Sequence, residues 1–149
     1  MITRGTWNTP TPNHVVGTAV YYAPGVMRAT AAYHGLSLEG YVGGVATMSP
    51  ADQGREVWLN PGTGWEGPFL VVDCSIRGRT WYNVTQVGTV VEVDFETWQR
   101  WNGNQRLEVE VAFGPYRPDV PPLDYVDWWE SVVEYEPIMT CNPICVMVK

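Results

Sequence analysis

With 149 residues, the chain is long enough for one domain with a hydrophobic core, but short for two. Charged residues make up only 17% of it and aromatic residues 13%, which excludes an intrinsically disordered chain. A net charge of −7 leaves too few basic residues for a nucleic-acid or acidic-membrane surface, whereas uncharged polymers such as polysaccharides stay open as partners.

Short β-rich segments, separated by Gly and Pro turns, follow a polar N-terminal arm over residues 1–14. The predicted strands cover residues 15–22, 43–48, 56–60, 67–74, 80–85, 87–93 and 106–113. Residues 26–40 are compatible with either a helical turn or a wrapping loop. Many short strands at this spacing favour a small closed barrel over residues 15–114.

One helix is expected between the last two predicted strands. Phe95 and Trp98 recur at helical spacing, and Asp94 just before them is a suitable N-cap. Residues 115–149 interleave Pro, acidic and aromatic residues instead. We expect this segment to pack on the barrel as a tail, with a short helix near residues 127–133, and its self-association is a hypothesis.

Three cysteines are present, and their spacing does not match a zinc site. We therefore predict no metal and no cofactor. A disulfide between Cys141 and Cys145 is the simplest pairing, with Cys74 left as a thiol, but the sequence leaves the pairing open. No apolar run approaches the ~20 residues that a bilayer-spanning helix needs, and residues 1–5 lack a signal-peptide core. The protein is either cytosolic or its signal has been removed.

Four segments together carry a resemblance to a known family. They are Gly-Thr-Ala-Val-Tyr-Tyr at 17–22, Ala-Thr-Met-Ser-Pro-Ala-Asp at 46–52, Leu-Val-Val-Asp-Cys at 70–74 and Val-Asp-Phe-Glu-Thr-Trp at 93–98. In order and rough spacing they resemble the double-psi β-barrel domains of the expansin, barwin and RlpA-like group, which bind or act on cell-wall polysaccharides. The resemblance implies a mainly β, six-stranded double-psi barrel with one or two short helices, and an extracellular or cell-envelope location.

Two aspartates are the candidate catalytic residues, because each ends an apolar strand. Breaking a glycosidic bond needs an acid that protonates the leaving oxygen. The resemblance implies that Asp94 holds this position and that Asp73, across a groove, influences its charge state. From the residues alone, the alternative is that Asp94 only caps a helix and Asp73 only binds turn amides.

Ordinary inverting hydrolysis needs a second carboxylate as base. Hydrolases of this fold supply it from the first strand, and residues 18–22 contain none. Two activities remain: loosening of polysaccharide without cleavage, as in expansins, or cleavage by one acid/base group, as in lytic transglycosylases. The transglycosylases of the group also carry a histidine in the segment that matches 47–52, which has none here, and His34 does not align with it.

Aromatic side chains provide the expected sugar contacts, since the apolar faces of sugars stack on flat rings. Candidates near the proposed groove are Tyr21, Tyr22, Trp58, Trp65, Trp81 and Tyr82, and Ser49 is expected to line the groove beside them. The sequence therefore predicts a secreted protein that binds, and loosens or non-hydrolytically cleaves, a cell-wall polysaccharide such as peptidoglycan or a plant-type glycan. The alternative is a non-catalytic binding or assembly module on the same barrel.

Overall fold

Six strands close into a barrel in the computed structural model, which describes residues 10–74, 88–103 and 107–120. The strands are β1 (His14–Tyr21), β2 (Gly44–Thr47), β3 (Glu56–Asn60), β4 (Glu66–Cys74), β5 (Thr89–Val93) and β6 (Leu107–Phe113). Two short helices, α1 (Val26–Tyr33) and α2 (Phe95–Arg100), follow β1 and β5. A 3-10 turn lies at Pro50–Asp52. The mainly β architecture predicted from the sequence is confirmed.

The order of strands around the barrel is β1-β5-β2-β4-β3-β6, and β6 pairs back with β1. The pairs β1–β5 and β2–β4 are parallel, and the other pairs are antiparallel. Parallel neighbours cannot be joined by tight hairpins, so these two pairs depend on long crossover connections. A closed mixed barrel of this kind is compatible with a double-psi barrel.

The inside of the barrel is filled by side chains that alternate along the strands. Val57 and Leu59 of β3 point inward and alternate with partly exposed neighbours, and Val109 and Val111 do the same on β6. Trp98 of α2 joins this core, so the predicted helix after Asp94 is confirmed. Helix α2 therefore closes part of the core while its first residues stay beside the end of β5.

The stretch after β1, for which the sequence allows a helical turn or a loop, forms helix α1. Its buried face, which includes Met27 and Ala31, packs outside the barrel against Tyr22, Ala46 and Val72. The outer surface of the strands around β2 is consequently a second apolar layer. The polar side chains Asp73 and Glu92 on the strands next to β2 are fully buried.

A buried ion pair ties the barrel to the segments on either side of it. Asp52 Oδ1 accepts hydrogen bonds from Arg55 Nη1 at 2.9 Å and from the backbone N–H of Thr11 at 2.8 Å. Its Oδ2 accepts from the hydroxyls of Thr11 and Thr47. Arg55 in turn donates to the carbonyl of Gly114, after β6. Nearly all of the hydrogen-bonding capacity of a buried charge pair is thus satisfied.

Several predictions concern residues outside the described ranges. These are the strand at 80–85, the helix near 127–133, the cysteine pair Cys141 and Cys145, and Trp81. Among the residues that are described, no helix combines the length and apolarity needed to cross a bilayer.

Candidate active site

Asp94 lies between the end of β5 and the start of α2, and it is the N-cap of that helix. Its Oδ1 accepts a hydrogen bond from the backbone N–H of Thr97 at 3.0 Å, as expected of an Asp N-cap. The other carboxylate oxygen, Oδ2, lies so close to Gly43 that a Cβ at that position would collide with it. Only 9% of Asp94 is exposed. The carboxylate is therefore held firmly, with one oxygen occupied by the cap and the other at the approach to β2.

A small pocket opens beside Asp94. Its described lining residues are Ala23, Gly25, Met27, Arg28, Leu38, Asp94, Phe95 and Glu96. Its volume of about 40 Å³ is enough for little more than a water molecule. The pocket therefore suits one functional group of a ligand, such as a hydroxyl or a bridging oxygen, and a sugar ring would have to lie across its mouth. The charged residues Arg28 and Glu96 were not predicted from the sequence.

Asp73 is fully buried near the end of β4. Its Oδ2 accepts a hydrogen bond from the hydroxyl of Tyr22 at 2.7 Å, and Tyr22 is itself 1% exposed. The described lining of the Asp94 pocket includes neither residue. The structure thus brings the predicted site residues Asp73 and Tyr22 together, but in an enclosed environment that is different from the environment of Asp94.

Strand β2 connects the two aspartates. It pairs with β4 on one side and with β5 on the other, so Asp73 and Asp94 approach it from opposite sides. Ala46 of β2 is in register with both Asp73 and Glu92. Residues in register across neighbouring strands share a face of the sheet. A third carboxylate, Glu92, therefore belongs to the same outer face as Asp73.

Glu92 was not predicted as a site residue, although it is fully buried. In the apolar run Val90-Val91-Glu92-Val93, alternation alone predicts an outward, solvated glutamate. The only available signal was that the run is otherwise apolar, since a strand that is covered on both faces reads as continuously hydrophobic.

The remaining predicted groove residues lie in varied surroundings. Tyr21 stacks on Trp98, with ring centroids 5.0 Å apart, and packs against the core. Ser49 is buried, and its hydroxyl caps the 3-10 turn by accepting from the N–H of Ala51. Trp65 is half exposed in the turn before β4. Trp81 lies outside the described residues.

His34, which the sequence predicts to be a loop histidine with local hydrogen bonds, contacts the backbone of β4. It follows α1, and its Nδ1 is 2.7 Å from the carbonyl oxygen of Val72, the residue before Asp73. That contact accounts for a structural role in fastening α1 to β4. Within the described ranges, no group of three or more His, Cys, Asp or Glu side chains is arranged to hold a metal ion.

Comparisons with known proteins do not assign the chain to a family. No family model matches it, and no curated protein matches it. The barrel and the placement of its polar side chains therefore carry the functional argument.

Proposed function

We propose that this protein binds cell-wall polysaccharide through the surface around Asp94 and loosens it or cleaves it without water, in the manner of expansins or lytic transglycosylases. The observation that carries the proposal is the position of Asp94. It is a nearly buried carboxylate fixed at a strand end, with one oxygen committed to the helix cap and the side chain lining a pocket of single-group size.

The pocket size bears on the type of chemistry. A hydrolase that uses two carboxylates needs room for a water molecule between the base and the sugar. A pocket that already receives one oxygen of the ligand leaves little space for a positioned water as well. Cleavage would then proceed by proton transfer from Asp94 to the bridging oxygen as the C–O bond breaks. A hydroxyl of the same sugar would attack the anomeric carbon and return its proton to Asp94.

Asp73 and Tyr22 support this reading as positioning residues. Both are enclosed, so neither contacts a polysaccharide directly in this conformation. Their hydrogen bond spans from the end of β1 to the end of β4. It holds together the strand ends near which the Asp94 surface lies, which a rigid binding surface requires.

The test is to incubate the protein with peptidoglycan sacculi and with cellulose, and to measure both its retention and the soluble sugars released. Transglycosylation predicts products with intramolecular anhydro ends, detected by mass spectrometry, and their loss in Asp94→Asn. Loosening predicts retention with no soluble product. Asp119→Asn is the matched control, because that carboxylate is exposed and remote in the chain from the pocket. Failure of the wild-type protein to bind any polysaccharide would overturn the proposal.

A further inference from the structure

The outer side of β3 forms a second surface with the properties of a ligand site. Its outward side chains are Glu56, Trp58 and Asn60, which alternate with the buried Val57 and Leu59. We refer to Glu56, Trp58 and Asn60 as the β3 face. Nothing in the proposed action of Asp94 requires an aromatic side chain on this part of the barrel.

The indole of Trp58 packs close to two glycines, Gly67 and Gly114. A Cβ at Gly67 would stand 2.6 Å from Trp58 Cδ1, and a Cβ at Gly114 would stand 3.5 Å from Cζ3 at the other end of the indole. Because neither neighbour has a side chain, both ends of the ring system can lie against main chain. Trp58 nevertheless remains partly exposed. Part of the indole is thus accessible while the rest packs against protein, and an accessible aromatic ring is a surface on which a sugar can stack.

An open depression of about 400 Å³ begins at Asn60, two residues after Trp58 on β3. It is lined by Asn60 and by Glu108 and Glu110 of β6, among others. This volume lies in the range of small-ligand sites and is about ten times that of the pocket beside Asp94. Trp58 and Asn60 are alternate residues of one strand, so Trp58 lies on the same side of β3 as the residue that lines the depression.

The depression offers both hydrogen-bond donors and acceptors. Asn60 Oδ1 accepts from the N–H groups of Gly62 and Gly64, and Asn60 Nδ2 makes no hydrogen bond to the described residues, so it is a donor for a ligand. Glu110 is paired with His14 at 2.8 Å. Glu108 is exposed and has no ion pair within the described part of the chain. A flat ring beside carboxylate acceptors and an amide donor fits the hydroxyl-rich edge and apolar face of a sugar.

The β3 face also reaches towards Asp94. Glu56 accepts a hydrogen bond from the hydroxyl of Tyr41 at 3.0 Å. Burial and the Glu56 carboxylate raise the pKa of Tyr41, so this hydroxyl keeps its proton and donates at neutral pH. Tyr41 is two residues before Gly43, the residue against Asp94, and two extended residues span ~7 Å.

We propose that the β3 face, with Glu108, is a binding subsite for a polysaccharide chain. This inference rests on the proposed function for the identity of the ligand as a glycan. It adds the location of the main binding contact, which is stacking on Trp58, and separates that contact from the position of the acid.

Three variants test the subsite: Trp58→Ala, Asn60→Ala and Glu108→Gln. The probes are peptidoglycan sacculi, cellulose and chitin for retention, and cellohexaose and chitohexaose for NMR titration of the Trp indole N–H signals. Loss of one stacking contact should weaken binding about threefold to tenfold. Trp58→Tyr keeps a flat ring and should retain most of the affinity, and thermal unfolding identifies any variant that does not fold. Tyr33→Ala is the matched control, since Tyr33 is 60% exposed on α1.

The outcomes separate the two proposals. Weaker binding by folded Trp58→Ala, with undiminished binding by Tyr33→Ala, supports the subsite. Wild-type binding that is equally strong in folded Trp58→Ala, Asn60→Ala and Glu108→Gln overturns the subsite and leaves the proposed function standing. Absence of wild-type binding to every probe overturns both. In the titration, a shift of the Trp58 signal supports the subsite, and shifts confined to other residues contradict it.

Discussion

The hydrogen bond between Tyr22 and Asp73 makes a buried carboxylate compatible with an apolar layer. Asp73 lies on the strand end that packs near α1, among Ala46, Val72 and Met27, where a polar group without hydrogen bonds would be costly. The 2.7 Å contact with the Tyr22 hydroxyl supplies one such bond. A single phenolic oxygen therefore links the end of β1 to the end of β4.

We expect Tyr22→Phe to lower the free energy of unfolding by about 1–3 kcal/mol, because it deletes only the donor to a buried carboxylate. Urea unfolding of the purified protein measures this change. Tyr33→Phe is the control, since its exposed hydroxyl should change stability by less than about 0.5 kcal/mol. Equal stability of Tyr22→Phe and the wild-type protein would show that the hydrogen bond does not hold the strand ends together.

At the scale of elements, the sequence predicts where the strands lie better than it predicts which strands pair. The bounds of β3 were predicted without error, because Glu56–Asn60 alternates clearly and is followed by Pro61 and Gly62. The sequence does not distinguish helix α1 from a loop, because the buried face of the helix includes the small residues Thr30 and Ala31, which give a weak periodic signal. Periodicity also carries no information about pairing, so the parallel neighbours of β1 and β2 required the structure.

The candidate site shows the same division. The place of Asp94 before a helical repeat predicts a helix cap, and its capping bond is confirmed. Its role as the acid is implied only by the resemblance and stays a prediction. The burial of Glu92 and the approach of Arg28 to the pocket depend on which elements cover the barrel. Contacts between segments distant in sequence are set by the whole fold, so no local pattern reveals them.

The Asp52–Arg55 pair acts between elements rather than within one. It joins the N-terminal segment at Thr11, the turn before β3 and the residue after β6. Arg55 also lies 4.6 Å from the centre of the Phe113 ring, which adds a cation–π contact. The pair is therefore a buried junction, and removing one partner leaves the other charge without compensation.

We predict that Arg55→Met lowers the free energy of unfolding by about 3–5 kcal/mol, because it leaves the buried Asp52 carboxylate without its positively charged partner. The double variant Asp52→Asn with Arg55→Met should lose less than the sum of the two single losses, since it no longer buries an unpaired charge. Urea unfolding of all three variants measures the coupling. Arg117→Met, which removes an exposed ion pair, should leave the unfolding midpoint nearly unchanged. Strictly additive losses would contradict the junction.

At the scale of the whole molecule, closure of the barrel makes each strand depend on its two neighbours. β1 completes the cylinder by pairing in parallel with β5 on one side and antiparallel with β6 on the other. A closed barrel has no free edge strand, so the position of each strand depends on both neighbours. A local disturbance at the β1–β5 seam should therefore lower the stability of the entire domain rather than fray one strand.

Gly17 tests this dependence, because it lies in the β1–β5 seam at a position with no room for a side chain. A Cβ there would stand 2.5 Å from the carbonyl oxygen of Gly88 and 2.6 Å from a methyl of Val90. The same carbonyl accepts the hydrogen bond from the N–H of Thr18 at 3.0 Å, so any shift that relieves the clash also strains the pairing. Gly17→Ala should thus cost about 1–3 kcal/mol, which for a domain of this size lowers Tm by roughly 2–12 °C.

The adjacent Val16→Ala is the matched control for this experiment. Val16 is 61% exposed on the outer side of β1, so its truncation should change stability by less than about 0.5 kcal/mol. Calorimetry of both variants distinguishes the cases: a single cooperative transition displaced only in Gly17→Ala is expected if the seam closes one cooperative unit. A Gly17→Ala protein that melts at the wild-type temperature, or that loses β1 in a separate early transition, would show that the barrel does not depend on this seam.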